Sequence, residues 1–235
     1  MNVSKPLELV IFDIAGTSVQ DHGFVQRAFL SVSDRHGLGL DAEWIKPRMG
    51  VHKLAVMREA LTEACKSGEI EPERLAREFE EAINDEVNVG AAPAMPGFIE
   101  LHHDLLRAGI KVAFTTGFSR STAETVLRGA GISYEILVAS DEVRCGRPDP
   151  EIVLEAMRRS GVEHPDAIAV IGDTPSDLGS GMNANAAMSI GIGHGTHRLH
   201  DLQPHPHTHL AANFDELRVI LSPLTGIPCG EHAHG

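Results

Sequence analysis

The sequence predicts an α/β fold, a doubly wound parallel sheet with an all-helical segment inserted after its first strand. Three observations carry this expectation. Leu7, Leu9, Val10, Ile11 and Phe12 form a near-continuous apolar run, as expected of a strand buried on both faces of a parallel sheet. From Phe98 onward, short apolar runs alternate with amphipathic segments of helical period, which implies right-handed crossovers covering both faces of the sheet. Between these two regions, from Gly23 to Asn88, the apolar spacing is helical and no strand pattern occurs.

Taken in order, the first strand ends at Asp13-Ile14-Ala15-Gly16-Thr17, where a glycine breaks the apolar run. In open α/β sheets ligands bind beyond the carboxyl ends of the strands, so Asp13 stands where a carboxylate can act as nucleophile, metal ligand or both. Helical spacing follows at Phe24, Ala28, Phe29 and Val32, at Leu54, Met57, Ala60 and Leu61, and at Leu75, Phe79, Ala82 and Ile83. Gly23 and the stretch Gly90 to Gly97, with prolines at 93 and 96, flank this block as hinges. Residues 1–20 and 93–235 therefore read as the α/β core, and 21–92 as a helical cap. In the core, a helix through Leu101, Leu105 and Leu106 precedes a strand from Ile110 to Phe114. A helix over Ser119 to Gly129 is followed by a strand from Tyr134 to Val138. A helix from Pro150 to Ser160 leads to a strand from Ala167 to Ile171, and a helix from Ser176 leads to a strand from Ala187 to Ile192. A short strand entered at His209 and a helix through Leu217 and Ile220 complete the pattern.

Size and composition bound the function. A chain of 235 residues, 42% of them hydrophobic, can bury a substantial core. The formal net charge of -13 and the lack of any Lys/Arg-rich run argue against nucleic acid or an anionic membrane as partner. An anionic substrate then needs local neutralisation. No apolar stretch approaches the ~18 residues that span a bilayer, and the start of the chain lacks the apolar core of a secretory leader, so a cytoplasmic protein is expected. Cys65, Cys145 and Cys229 are scattered and odd in number, which predicts reduced thiols. The biased segment 193–209, with His194, His197, His200, His205, His207 and His209, lacks any characteristic ligand spacing and reads as a solvated loop, as do His232 and His234 in the tail.

Four short motifs fall at the carboxyl ends of the expected strands. Asp13 follows the first, Thr115-Thr116-Gly117 the second, Gly146-Arg147-Pro148 precedes the third core helix, and Gly172-Asp173-Thr174-Pro175-Ser176-Asp177 follows the fourth strand. Singly, Asp173 or Thr174 is also what a helix N-cap requires. Together the four supply carboxylates for a hard cation, a hydroxyl and amides for phosphoryl oxygens, and a guanidinium for remaining charge.

This constellation resembles the haloacid dehalogenase superfamily, over nearly the whole chain. The resemblance implies a Rossmann-like core and Asp13 as the nucleophile that takes a phosphoryl group. It implies Thr116 as the hydroxyl motif and Arg147 as the basic motif. The same resemblance assigns Asp13, Asp173, Asp177 and the backbone carbonyl of Ala15 to Mg²⁺. Gly16, Thr17, Gly117 and Thr174 are then expected around the substrate.

One departure narrows the reading. Most phosphatases of the superfamily carry a second Asp two residues after the nucleophile, as general acid for an alkoxide leaving group; this chain has Ala15, which donates no proton. Asp-Ile-Ala-Gly-Thr with Arg147 is similar to the phosphonatase branch, the phosphonoacetaldehyde hydrolases and their relatives. That branch condenses the substrate aldehyde with a cap lysine, so that an iminium accepts the electrons of the breaking carbon–phosphorus bond. The family's lysine follows a Pro-Met-Gly turn, and Pro47-Arg48-Met49-Gly50-Val51-His52-Lys53 places Lys53 there, with Met49 and Gly50 beside the substrate. A lysine that attacks must be neutral part of the time, and His52 and Arg48 are the cations expected to lower its pKa. The chain departs from the branch at Val56, where a histidine is expected, at Phe118 in place of an aromatic hydroxyl, and near Gly23-Phe24, where a cysteine is expected.

The sequence thus predicts a Mg²⁺-dependent, phosphonatase-like hydrolase acting on phosphonoacetaldehyde or a related 2-oxoalkylphosphonate through a Lys53 Schiff base and an aspartyl phosphate at Asp13. The alternative is a small-molecule phosphomonoesterase in which His52 or a cap water supplies the acid. A further alternative is a non-catalytic ligand-binding member. A homodimer formed through the cap near Trp44 is also expected.

Overall fold

The computed structural model describes residues 6–88, 90 and 92–229. Ala91 of the hinge stretch, and His232 and His234, lie outside the described residues. The six strands are β1 (Leu9–Asp13), β2 (Lys111–Thr115), β3 (Ile136–Val138), β4 (Ile168–Gly172), β5 (Met188–Ile192) and β6 (His209–Ala211). They form one parallel sheet in the order β3-β2-β1-β4-β5-β6. The chain reverses its winding between β1 and β4, and a ligand crevice opens at that switch point. Register brings the strand ends level there: Asp13 pairs with Thr115, and Phe12 with Ile171, one residue before Gly172.

Alternation along β1 sorts its side chains between two cores. Val10 and Phe12 pack with Phe98, Leu101 and Leu105 of α5 (Phe98–Arg107), with Val126 of α6 (Arg120–Gly129), and with Leu217 of the chain's last helix. Leu9 and Ile11 pack with Val153 and Ala156 of α7 (Glu151–Ser160), and Ala184 follows α8 (Pro175–Asn183) into the same cluster. Both faces are covered, which is why β1, β4 and β5 are buried at every position.

Among the described residues, four α-helices lie between β1 and α5, namely α1 (Phe24–His36), the short α2 (Ala42–Ile45), α3 (Lys53–Glu63) and α4 (Pro72–Asn88), with a 3-10 turn at Lys46–Arg48 between α2 and α3. An isolated bridge between Val19 and Ala94 holds the two connecting segments side by side. As expected, this insertion contains no strand among the described residues.

Several boundaries differ from expectation for identifiable reasons. Leu7 lies outside β1, its amide donating to the Leu224 carbonyl at the end of α10 (Phe214–Thr225). β3 is shorter than Tyr134 to Val138, since only Ile136 to Val138 find partners on β2. On α5 the buried stripe is Phe98, Leu101, His102 and Leu105, spaced i, i+3, i+4, i+7, while Leu106 is 43% exposed. On α3 the stripe is likewise rotated by one residue. Lys53, Val56, Met57 and Ala60 are buried at that same spacing, and Leu54 is only half-buried. The helical period therefore carries Lys53 to the inner face.

The histidine-rich segment is a solvated loop only in part: His200, His205 and His209 are exposed, but the segment is not irregular or solvated throughout. It contains α9 (Leu199–Leu202), which buries Leu202, and the side chain of His197 is buried as well. His194 Nε2 lies 3.2 Å from the Thr17 carbonyl, and its ring meets Phe214 edge-on. No helix of the described residues is long and apolar enough to cross a membrane.

Candidate active site

The turn after β1 is built backwards over the strand end. The amides of Thr17, Ser18 and Val19 all reach the Ile14 carbonyl, and the Ser18 hydroxyl donates to the Asp13 carbonyl at 2.7 Å. Gly16 sits at φ +91°, and a Cβ there would strike the Asp173 carboxylate. Both the backbone conformation and the close approach require glycine. Thr17 Oγ1 donates to Asp173 Oδ1 at 3.0 Å.

After β4, Thr174 caps α8: its hydroxyl accepts from the Asp177 amide, and the Thr174 amide donates to Asp177 Oδ2 at 3.0 Å. The N-cap expectation therefore holds for Thr174, while Asp173 stays free to face Asp13. Ligand oxygens of Asp13, Asp173 and Asp177 lie within 4.8 Å of one another, all buried, so the three carboxylates can hold a metal ion. Hard oxygen donors in that number suit Mg²⁺ or Ca²⁺ rather than a thiophilic metal.

Arg147 is buried beside them. Its Nη1 donates to Asp13 Oδ1 at 2.7 Å and also to Asp177 Oδ1. Burial pushes the Asp13 carboxyl above its usual range, and Arg147 opposes that rise. Asp173 is pushed up to about 7, first by burial and then by the neighbouring Asp13 charge. Two buried carboxylates facing each other are short of positive charge, which is the electrostatic signature expected of a cation site.

Above this floor sits the helical insertion. Lys53 is 4% exposed, its Nζ donates to the Val51 carbonyl at 3.1 Å, and it lies 5.3 Å from the Phe29 ring centre and 5.7 Å from that of Phe79. Its pKa is lowered to about 8, chiefly by burial and next by the Arg147 charge, against the opposing pull of Asp13, Asp21 and Glu80. The cation beside Lys53 is thus Arg147, not Arg48 or His52. Arg48 stacks over Trp44 at 3.8 Å and pairs with Glu59 at 2.7 Å on the surface. His52 packs against Gly146 at the seam, and burial lowers its own pKa.

Asp13, Ala15, Met49, Gly50, Lys53, Thr116, Gly117, Arg147 and Thr174 line one cavity. The cavity is only about 20 Å³ in volume, so the two halves meet across a closed cleft. The approach is tight: a Cβ on Gly117 would lie 3.0 Å from the Val51 carbonyl oxygen, and one on Gly50 would lie 2.5 Å from Thr174 Oγ1. Gly16 and Thr17 are not among the residues lining this cavity; both contact Asp173.

Phe118, named from the sequence as a departure from the branch, lines the cavity, and the sequence reading missed two further lining residues, Val25 and Thr196. Thr196 contributes a main-chain amide, which donates to Asp173 Oδ2 at 2.6 Å. Only the adjoining glycines at 193 and 195 hinted at a close backbone approach, and a Cβ on Gly195 would meet Asp173 and the Gly16 carbonyl.

Comparison with known proteins agrees with this geometry. The haloacid dehalogenase-like hydrolase family matches residues 7–185. The chain is 32% identical over 194 residues to a phosphonoacetaldehyde hydrolase of Bacillus cereus, covering 76% of this chain and 73% of that one. A phosphonoacetaldehyde hydrolase of Bacteroides fragilis is 27% identical over 226 residues, covering 90% and 85%. Among solved structures, a hydrolase from Pseudomonas syringae superposes with a TM-score of 0.81 at 24% identity, covering 92% of this chain and 98% of that one. With the parallel sheet, the acidic triad and the inserted helices in place, the chain belongs to the haloacid dehalogenase-like hydrolase family and is a hydrolytic enzyme.

Proposed function

We propose that the enzyme is a Mg²⁺-dependent phosphonatase, cleaving the carbon–phosphorus bond of phosphonoacetaldehyde or a related small 2-oxoalkylphosphonate. One observation carries this reading: a buried lysine amine, with its pKa lowered to about 8, lines the same closed cavity as Asp13. A solvated lysine at pH 7 is almost wholly protonated, whereas one titrating near 8 is neutral in roughly a tenth of the molecules. The named activity of the relatives supports the same assignment.

In this mechanism the neutral Lys53 amine adds to the substrate carbonyl and loses water to give an iminium, held by the Val51 carbonyl and the walls of Phe29 and Phe79. An Asp13 carboxylate oxygen then attacks phosphorus opposite the carbon. The carbon–phosphorus electron pair moves into the iminium, forming an enamine and leaving the phosphoryl group on Asp13. Protonation and hydrolysis of the enamine release the aldehyde and regenerate Lys53, and water cleaves the aspartyl phosphate to inorganic phosphate. Arg147 balances the charge that gathers at Asp13, while the Thr116 hydroxyl and Gly117 amide face the phosphoryl oxygens. The carboxylates of Asp13, Asp173 and Asp177, with the Ala15 carbonyl, would hold Mg²⁺, which when bound supplies charge neutralisation of the phosphonate. Residues 21–92 act as a cap that opens to admit substrate and closes to exclude water.

The carbanion equivalent leaves through Lys53 and needs no acid at position 15, which accounts for Ala15. The phosphomonoesterase alternative requires a donor near the leaving oxygen. His52, its first candidate, is absent from the cavity lining and sits at the seam against Gly146. A cytoplasmic setting, consistent with three exposed free thiols, and pairing of two copies through the cap near Trp44 belong to the same proposal.

The test is release of inorganic phosphate from a small panel of phosphonates and sugar phosphates, with and without Mg²⁺. Turnover of 2-oxoalkylphosphonates that stops on chelation, with stoichiometric aldehyde, is the expected result. Turnover of sugar phosphates with every phosphonate inert would overturn it.

A further inference from the structure

Glu80, on the cap helix α4, is not among the lining residues of the closed cavity, yet its carboxylate crosses to the core. Oε1 accepts from the Ser119 amide at 2.8 Å, and Oε2 accepts from the Ser119 hydroxyl and from Thr122 Oγ1 at 3.2 Å. All three donors belong to the N-cap and first turn of α6, where free amides and the helix dipole favour an anion. Ser119 directly follows Thr116, Gly117 and Phe118, which line the cavity beside Asp13. On the other side of the contact, Phe79 is the residue before Glu80, and its ring forms part of the wall around the Lys53 amine.

We propose that Glu80 is a positioning residue, a latch that holds the cap shut by pinning the first turn of α6, and so sets Lys53 opposite Asp13. The seam between α4 and α6 explains why the latch sits at this end. Seven residues further along α4, Val87 packs so closely on α6 that a Cβ on Gly129 would lie 2.9 Å from it, and Ala94, bridged to Val19, is the connection seven residues beyond Val87 in sequence. Rotation about that connection leaves the Val87–Gly129 end nearly in place and parts Glu80 from Ser119. The latch forms only when the cleft is closed. Glu80 is half-buried and makes no hydrogen bond to Lys53 or the acidic triad among the described residues; its charge reaches Lys53 only through space, as the weakest of the three acids that oppose the lowering of that pKa, while its hydrogen bonds all go to the first turn of α6. This inference rests on the reading above only in placing the substrate between Lys53 and Asp13.

The test uses the full chain with Glu80→Gln, Thr122→Val and the double variant. Gln and Val keep size, and Thr122→Val leaves the Ser119 cap intact. Hydrogen exchange of the 118–123 segment in the free enzyme should speed up about tenfold in Glu80→Gln with no fall in melting temperature. In steady state KM should rise about tenfold with kcat within twofold of wild type, because saturating substrate restores closure. The double variant should be no worse than the worse single one. Unchanged exchange, additive losses, or a fall in kcat at constant KM would each overturn the latch. Should no phosphonate turn over, the phosphonatase reading fails by itself; the exchange result, and the same kinetic comparison with p-nitrophenyl phosphate, still decide the role of Glu80.

Discussion

Burying a lysine beside an arginine costs stability, and Lys53→Met makes that cost measurable. The folded amine titrates near 8 and the unfolded one near 10.5. Between those values the unfolded chain binds the extra proton, so stability rises with pH through this window and the penalty is fully present below it. The gap corresponds to ~3 kcal/mol at pH 7, falling to ~1 kcal/mol at pH 9.5. Methionine fills the same space between Phe29 and Phe79 without charge, but leaves the Val51 carbonyl without its donor, which costs about 1 kcal/mol. The variant should therefore be more stable than wild type by ~2 kcal/mol at pH 7 and close to equal to it at pH 9.5. Urea denaturation at the two pH values measures the difference. A stability difference that does not change with pH, or a variant that is less stable at pH 7, would refute the claim that Lys53 is held against its charge. The same substitution should abolish phosphonate turnover, so stability and activity move in opposite directions.

Other expectations follow from the same geometry. Gly50→Ala forces a side chain into φ +77° and against Thr174 Oγ1, so the cap should fail to close fully. Activity should drop at least tenfold while the melting temperature shifts by only a few degrees, as read by steady-state kinetics and calorimetry. Thr17→Val removes a buried hydroxyl that orients Asp173, and Mg²⁺ should activate the variant only at roughly tenfold or higher concentration than wild type. Arg48→Ala, which removes the stack on Trp44, the hydrogen bond to the Trp44 carbonyl and the pairs with Glu59 and Glu63, all away from the cavity lining, should leave the pH profile of turnover unchanged, in contrast to any change at Arg147.

Much of the architecture was legible because parallel strands bury both faces, so β1 and β4 stand out as apolar runs, and β5 nearly so around Ser189, and the carboxyl ends of β1 and β4 mark the crevice. Asp13, Thr116 and Asp173 were readable from that placement. Arg147 was readable in the same way, as the guanidinium among the strand-end motifs, whereas Lys53 acquired its role through resemblance, and only the rotated stripe of α3 shows how the helix turns Lys53 inward. What stayed hidden is of two kinds. Thr196 acts through a main-chain amide, which every residue but proline carries and which leaves no mark in the sequence. Glu80 lies on an amphipathic helix among solvated acids, 39 residues from its partner Ser119, so no local spacing could pair them. The four-residue α9 is barely one turn long, too short for a hydrophobic period to recur, which is why a histidine-rich stretch concealed a buried Leu202.

The most direct measurement is covalent. Enzyme incubated with phosphonoacetaldehyde and borohydride should lose activity with the adduct reduced onto the Lys53 side chain, seen as one modified peptide by mass spectrometry, and Lys53→Met should carry no adduct. An adduct on another lysine with Lys53 untouched, or full activity after reduction in the presence of turning-over substrate, would contradict the account.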